Sequence, residues 1–206
     1  MEEVREQHWY ALKIFFNKVF EMEALLDHKG LDTYLAVEKV LLKGAAHLSA
    51  RRKLADVSAP KDFRYIEEGA LIYFRRPLVT SLLFVRCTPE QILEVEALLK
   101  EPTASGGARG YIYRNTEREF ARIPENQMAA FRLVVESGVS GLEFFADDDI
   151  DRFRRGDRVR VKEGPLKGAE GYIKRIRKDR RLLVVINGVI AVATTYIPPQ
   201  QLEKVV

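Results

Sequence analysis

Cysteine is almost absent from this chain, and with it any internal disulfide: the single Cys87 stands in the apolar run Leu82–Cys87, where a buried, inert thiol is expected. Histidine is scarce too. His8, His28 and His47 are scattered, with no His-Glu-x-x-His spacing and no cysteine pair, so no zinc ligand set is present. There is no Gly-x-Ser-x-Gly elbow and no glycine loop followed by Lys-Ser or Lys-Thr to cradle phosphate. Glu67-Glu68, and Glu94 with Glu96, are sequence neighbours that do not face each other on one helical stripe, so paired acid–base chemistry has no support. The expectation is a binding protein, not an enzyme, with no cofactor or metal. Long apolar runs are also missing. Stretches such as Leu182–Ile186 are far shorter than the ~18 residues of a membrane helix, and Met1–Gln7 is charged, unlike a signal peptide. A cytoplasmic monomer with no membrane contact is expected.

What is present is a chain of 206 residues, 47% hydrophobic, long enough for one large or two small packed domains. Its net charge of +4 conceals a division. Residues 152–206 hold 14 Lys and Arg against 5 Asp and Glu, a surplus of nine, whereas residues 1–151 hold 20 against 25. Five of those acids, Glu143, Asp147, Asp148, Asp149 and Asp151, directly precede the basic segment. We therefore divide the chain into a first domain over 1–138, an acidic linker over 139–151 and a second domain over 152–206. Three adjacent aspartates could ligate a cation, but without a second ligand cluster they read as charged linker. Leu142, Phe144 and Phe145 imply that the first half of the linker docks on something.

Within the second domain, Arg158–Lys162 and Gly171–Ile176 have strand character and flank a tight loop in which Gly164, Pro165 and Gly168 supply special backbone angles. Val159 and Val161 alternate with Arg158, Arg160 and Lys162, so one face enters a core and the other carries positive charge, joined further on by Lys174, Arg175 and Arg177. Lys178-Asp179-Arg180-Arg181 reads as a polar turn before the apolar strand Leu182–Ile186. Asn187-Gly188 then marks a hairpin into Val189–Ala193, and Gln201–Val205 returns after Pro198-Pro199. Five short strands in 55 residues predict a small barrel.

In the first domain, His8–Phe15 alternates as a strand, Asn17 caps a helix ending before Gly30, and Thr33–Val37 forms a second strand, the opening of an α/β unit. Between Lys43 and Glu68 the periodicity fails, which predicts a long excursion from the sheet. The basic triplet Arg51-Arg52-Lys53 lies there, either a solvated loop or a contact to nucleic acid phosphates. Strands are predicted over Ala70–Arg76, Leu82–Arg86 and, at an edge, Tyr111–Arg114; helices over Pro89–Lys100 and Pro124–Glu136. Glu101–Gly110 reads as a turn or hinge, although Gly106-Gly107 with Arg109 could touch RNA.

The order of a basic-apolar strand, Glu163-Gly164-Pro165-Leu166-Lys167-Gly168 and an apolar strand entered through Gly171 resembles the KOW motif of NusG-type transcription factors and several ribosomal proteins. The resemblance extends over nearly the whole chain. Trp9-Tyr10-Ala11-Leu12-Lys13 resembles the opening strand of the NusG N-terminal domain, and the segment Arg75 to Arg86 resembles its next landmark. Gln201-Leu202-Glu203-Lys204-Val205 resembles the last barrel strand. Leu78-Val79-Thr80-Ser81-Leu82 departs from the aromatic pair and Pro-Gly-Tyr of housekeeping members, and YIYRNTEREFARIPENQMAAF departs from the usual NusG segment after residue 110. With Ala193-Thr194-Thr195-Tyr196-Ile197-Pro198-Pro199, these features look more like the UpxY-type specialised paralogs of capsular polysaccharide operons.

The resemblance implies an α+β N-terminal domain, an α/β sandwich with an antiparallel sheet, followed by a small all-β KOW barrel. It also implies an elongation factor that sits on the clamp helices of the largest RNA polymerase subunit and prevents premature termination, with Rho or a small-subunit ribosomal protein as the barrel's second partner. By position, Tyr10, Leu78, Val79 and Phe84 are the candidates for the polymerase-facing patch, unless they are core. A ribosome-associated or RNA-binding KOW protein is the alternative.

Overall fold

The computed structural model describes residues 6–56, 64–101, 107–146, 157–176 and 178–205. Two compact units partition the chain: one holds 12–85 and 90–111, the other the described residues up to 11, 86–89 and those from 112 onward. The architecture is mixed, with four helices and antiparallel pairing in two of its three sheets among the described residues.

β1 (His8–Ile14), β2 (Asp32–Tyr34), β6 (Leu82–Cys87) and β7 (Gly110–Ile112) form a sheet of order β2-β6-β1-β7. Trp9, Tyr10, Ala11 and Leu12 are all buried, which is why β1 is apolar on both of its faces. Trp9 Nε1 donates to Glu125 Oε2 at 3.1 Å, so its one polar atom is satisfied.

α1 (Val19–His28) buries Val19, Phe20, Met22 and Leu26. Gly30 ends it at φ 77°, with Leu31 N–H returning to Leu26 O at 3.1 Å. Its N-cap is Lys18 and not the expected Asn17, and no side chain caps it. Phe16 and Asn17 are both left-handed, at φ 59° and 55°, so Asn17 is spent in the turn and the helix starts one residue later than a capping asparagine would place it.

The stretch read as an excursion holds a helix and a strand among its described residues. β3 (Val37–Leu41), β5 (Leu71–Pro77) and β4 (Tyr65–Glu68) form a three-stranded antiparallel sheet, and α2 (Gly44–Ala55) packs on β5. α2 buries only Ala50, which explains why no apolar period announces it; its alanines, leucines and arginines are nonetheless good helix formers. α3 (Pro89–Lys100) follows with Ile92, Val95 and Leu99 buried.

In the other unit, α4 (Glu125–Glu136) buries Met128, Phe131 and Val134. A six-stranded antiparallel sheet runs β13-β9-β10-β11-β12-β8, from β8 (Glu143–Ala146), β9 (Arg158–Val161), β10 (Glu170–Ile176), β11 (Asp179–Ile186), β12 (Ile190–Tyr196) and β13 (Leu202–Lys204). The five expected strands are joined by β8, taken from the stretch read as linker: Phe144 faces Val192 and Phe145 faces Ala191. The aspartate run 147–149 lies outside the described residues. β11 starts before Leu182, because Asp179, Arg180 and Arg181, read as turn, pair with Ile176, Arg175 and Lys174.

Register explains the apolar run of β11. Tyr172 faces both Arg158 and Leu183, Leu183 faces Ala193, and Val185 faces Ala191, so these side chains share one sheet face. At the β9 end that face is solvated; at β11 and β12 it is buried, and α4 packs against both strands. Val159 and Val161 lie on the opposite, interior face. A strand covered on both sides must be apolar at every position.

Candidate functional site

The loop between β9 and β10 is closed by its own backbone. Gly168 N–H donates to Val161 O at 2.8 Å and Val161 N–H to Ala169 O at 3.0 Å, while Lys167 N–H reaches Gly164 O at 3.1 Å. Gly164 and Gly168 take φ of 83° and 90°, conformations in which a side chain is strained. Gly171 is needed for a different reason: a Cβ there would stand 2.3 Å from Leu183 O on the neighbouring strand. Pro165 is exposed and Leu166 is turned inward, so the loop presents Glu163, Gly164, Pro165 and Lys167 to solvent.

The cations expected to make β9 a basic face are partly neutralised. Arg160 Nε donates to Glu170 Oε1 at 2.9 Å and Arg158 Nη2 to Glu170 Oε2 at 3.0 Å, with Glu203 Oε1 3.6 Å from Arg160. The hydrogen bond from Arg160 is the largest influence on the Glu170 carboxyl; desolvation, next in size, opposes it, and the charges of Arg160 and Arg158 add to it, so the group is held below its ordinary range. A carboxylate with a depressed folded-state pKa stabilises the fold above its unfolded pKa and loses that contribution as pH falls through the folded value. Thermal melts of Glu170→Gln should therefore show a small deficit against the parent at neutral pH that closes in acid; a deficit constant with pH would mean the ion pairs contribute nothing. Lys162 and Arg175 are exposed and Lys174 is half-buried, whereas Arg177 lies outside the described residues. Arg181 is tied to Glu143 of β8 at 2.7 Å.

The four residues assigned to an apolar surface patch separate. Tyr10 and Phe84 are fully buried, at 1% and 0% exposure, and cannot contribute to a surface; each is a large apolar group on a strand with both faces covered. Leu78 and Val79 stay half-buried in the turn between β5 and β6, held by Leu78 N–H to Ala36 O at 2.9 Å and Leu82 N–H to Val79 O at 3.3 Å. Arg51, Arg52 and Lys53 are exposed on α2, not on a loop, and successive helical positions fan them around the axis. Lys53 Nζ lies 5.8 Å from the centre of the Tyr65 ring.

A cleft of about 540 Å³ opens between α4 and the sheet, lined by Asn126, Gln127 and Leu133 on the helix and by Arg158, Glu170 and Tyr172 on the strands, among others. Gln127 Oε1 accepts the Asn187 backbone N–H at 3.0 Å, tying α4 to the β11–β12 turn. The sequence reading missed this contact, although the uninterrupted apolar run of β11 signalled that something covers its second face. Among the described residues no group of three or more His, Cys, Asp or Glu is placed to hold a metal ion. Burial pushes the Cys87 thiol up to about 12, which leaves it protonated and unreactive at neutral pH. No helix of the described residues is long and apolar enough to cross a membrane. No protein-family model matches the chain, and no curated protein matches it either.

Proposed function

We propose that this chain is a NusG-type transcription elongation factor that binds the clamp helices of RNA polymerase and promotes processive antitermination of a polysaccharide biosynthesis operon. The observation that carries the reading is the loop from Val161 to Gly171: two left-handed glycines around an exposed proline, then a third glycine at a close strand crossing, within a small antiparallel sheet. It supports the reading because the same glycines and proline carry the sequence's resemblance to the KOW motif. In this reading the protein performs no chemistry. It binds a closed-clamp polymerase more tightly than an open one and so shifts the population away from pausing.

The polymerase contact falls to Leu78 and Val79, since Tyr10 and Phe84 are core. Large apolar residues are unusual in a turn, and these two retain exposed surface. The KOW domain takes the second partner, Rho or a small-subunit ribosomal protein, through the solvated face of its loop and strands. Affinity purification from the native cell should recover polymerase subunits; recovery of ribosomal RNA without polymerase would instead establish a ribosome-associated or RNA-binding KOW protein. Val79→Glu should melt within about 2 °C of the parent yet weaken polymerase binding by at least ~2 kcal/mol, roughly thirtyfold, through a carboxylate in a desolvated contact. A mutant that melts normally and still binds polymerase would remove this turn from the mechanism.

A further inference from the structure

The cleft between α4 and the sheet stays open for a reason that lies in the helix sequence. Asn126, Ala129, Ala130 and Leu133 repeat at helical spacing, fall on one face of α4, and all line the cleft. The two central side chains of that face are single methyl groups, too short to fill the gap. The space they leave is about 540 Å³, within the roughly 300–1,000 Å³ of small-molecule sites.

Across from the helix, Glu170 and Tyr172 alternate along β10 and Tyr172 pairs with Arg158 of β9, so all three project from the face that α4 overlies. The half-buried Tyr172 ring packs against the Leu183 and Val185 cluster and leaves an aromatic surface in the cleft. Among the described residues that line the cleft, Arg158 and Glu170 are the charged ones, and they neutralise each other: Arg158 Nη2 donates to Glu170 Oε2 at 3.0 Å. The pair keeps hydrogen-bonding capacity, since a guanidinium has further N–H donors and a carboxylate oxygen a second lone pair. The Asn126 amide and the Tyr172 hydroxyl make no hydrogen bond among the described residues. Gln127 uses its Oε1 to accept the Asn187 N–H and retains its NH2 donors.

We propose that this cleft binds a short neutral sugar. A sugar ring has a face of C–H groups that packs on an aromatic ring, and adjacent hydroxyls that each donate and accept, which the Arg158–Glu170 pair and the Asn126 amide meet with matching planar groups. A phosphorylated ligand or a nucleic acid would need uncompensated cations, and the cation lining the cleft is already paired. An extended peptide would need a free strand edge, whereas β10 is paired on both sides, with β9 and β11. None of the residues proposed for polymerase contact lines the cleft, so sugar binding and polymerase binding can fail independently.

The test follows the backbone amides of the isotope-labelled full-length protein by NMR during titration with glucose, galactose, mannose, N-acetylglucosamine, maltose, lactose and cellobiose. At least one sugar should shift the amides of Gly168, Gly171 and Asn187, which line the cleft, with a Kd on the order of 1 mM. Affinity should change little with salt, because no charge is neutralised on binding. Ala130→Leu should fill the cleft and weaken binding at least tenfold while the melting temperature holds or rises, since leucine suits a helix and adds apolar contact. Asn126→Ala, at an exposed position, should weaken binding severalfold with no change in melting temperature. The proposal is overturned by no binding of any sugar in the set, by shifts confined to residues outside the cleft, by unchanged affinity in Ala130→Leu, or by tighter binding of glucose 6-phosphate than of glucose.

Discussion

Truncating Phe131 to alanine is expected to cost about 3–5 kcal/mol, the usual loss for a large aromatic removed from a packed core. The ring is completely buried and meets Phe144 of β8 with centroids 6.4 Å apart. It thus joins α4 to the edge strand of the six-stranded sheet. For a chain of this size each kcal/mol corresponds to roughly 2–4 °C, so the melting temperature should fall by roughly 6–20 °C. Phe131→Leu, which refills most of the space, should recover a large part of the loss. Calorimetry of the two variants checks both statements. A fall of only a degree or two in the alanine variant would mean that α4 is not held to β8 through this ring.

Gly171→Ala is expected to cost about 1–3 kcal/mol, or more if β10 and β11 cannot separate. The added methyl would lie 2.3 Å from Leu183 O and 3.1 Å from Leu182 Cδ1; the first is backbone and cannot move aside without disturbing the ladder. Gly164→Ala makes the informative comparison. Nothing lies within 4 Å of a Cβ at Gly164, so any loss there reflects only the left-handed backbone at φ 83°. That loss should be smaller, about 1 kcal/mol. If the two variants melt alike, close strand approach is not the constraint at Gly171.

These two sites show why parts of the fold were legible and others were not. α3 could be read to its ends because Pro89 starts it and Ile92, Val95 and Leu99 keep a helical period against a core. β12 and its turn were legible from Asn187-Gly188, with Gly188 at φ 72°. α2 was not, because a helix that buries one alanine leaves no apolar stripe in the sequence. β8 was hidden by its acidic neighbours: Phe144 and Phe145 showed that the stretch docks, but not that it docks as a strand on β12.

The candidate site divides the same way. Gly164 and Gly168 announced their backbone roles, at φ 83° and 90°, whereas the 2.3 Å approach at Gly171 comes from Leu183 on the neighbouring strand and was not legible. Charge did not announce its pairing. Arg158 and Arg160 read as free cations until β10 brought Glu170 across from them. Tyr10 and Phe84 could be named as surface or core with equal reason until packing buried them.

By itself, then, the sequence determined what depends on neighbours along the chain: strand and helix periods, turn conformations, the basic surplus after residue 152 and the absence of metal or nucleophile motifs. Tertiary structure alone decided which face of β11 is covered and by what, which arginines are neutralised, and which aromatics reach solvent. Those outcomes depend on residues brought together from distant parts of the chain, as Gln127 meets Asn187 and Phe15 meets Tyr111. Burial and electrostatics act through space, and local preferences carry no record of the partners that folding will supply.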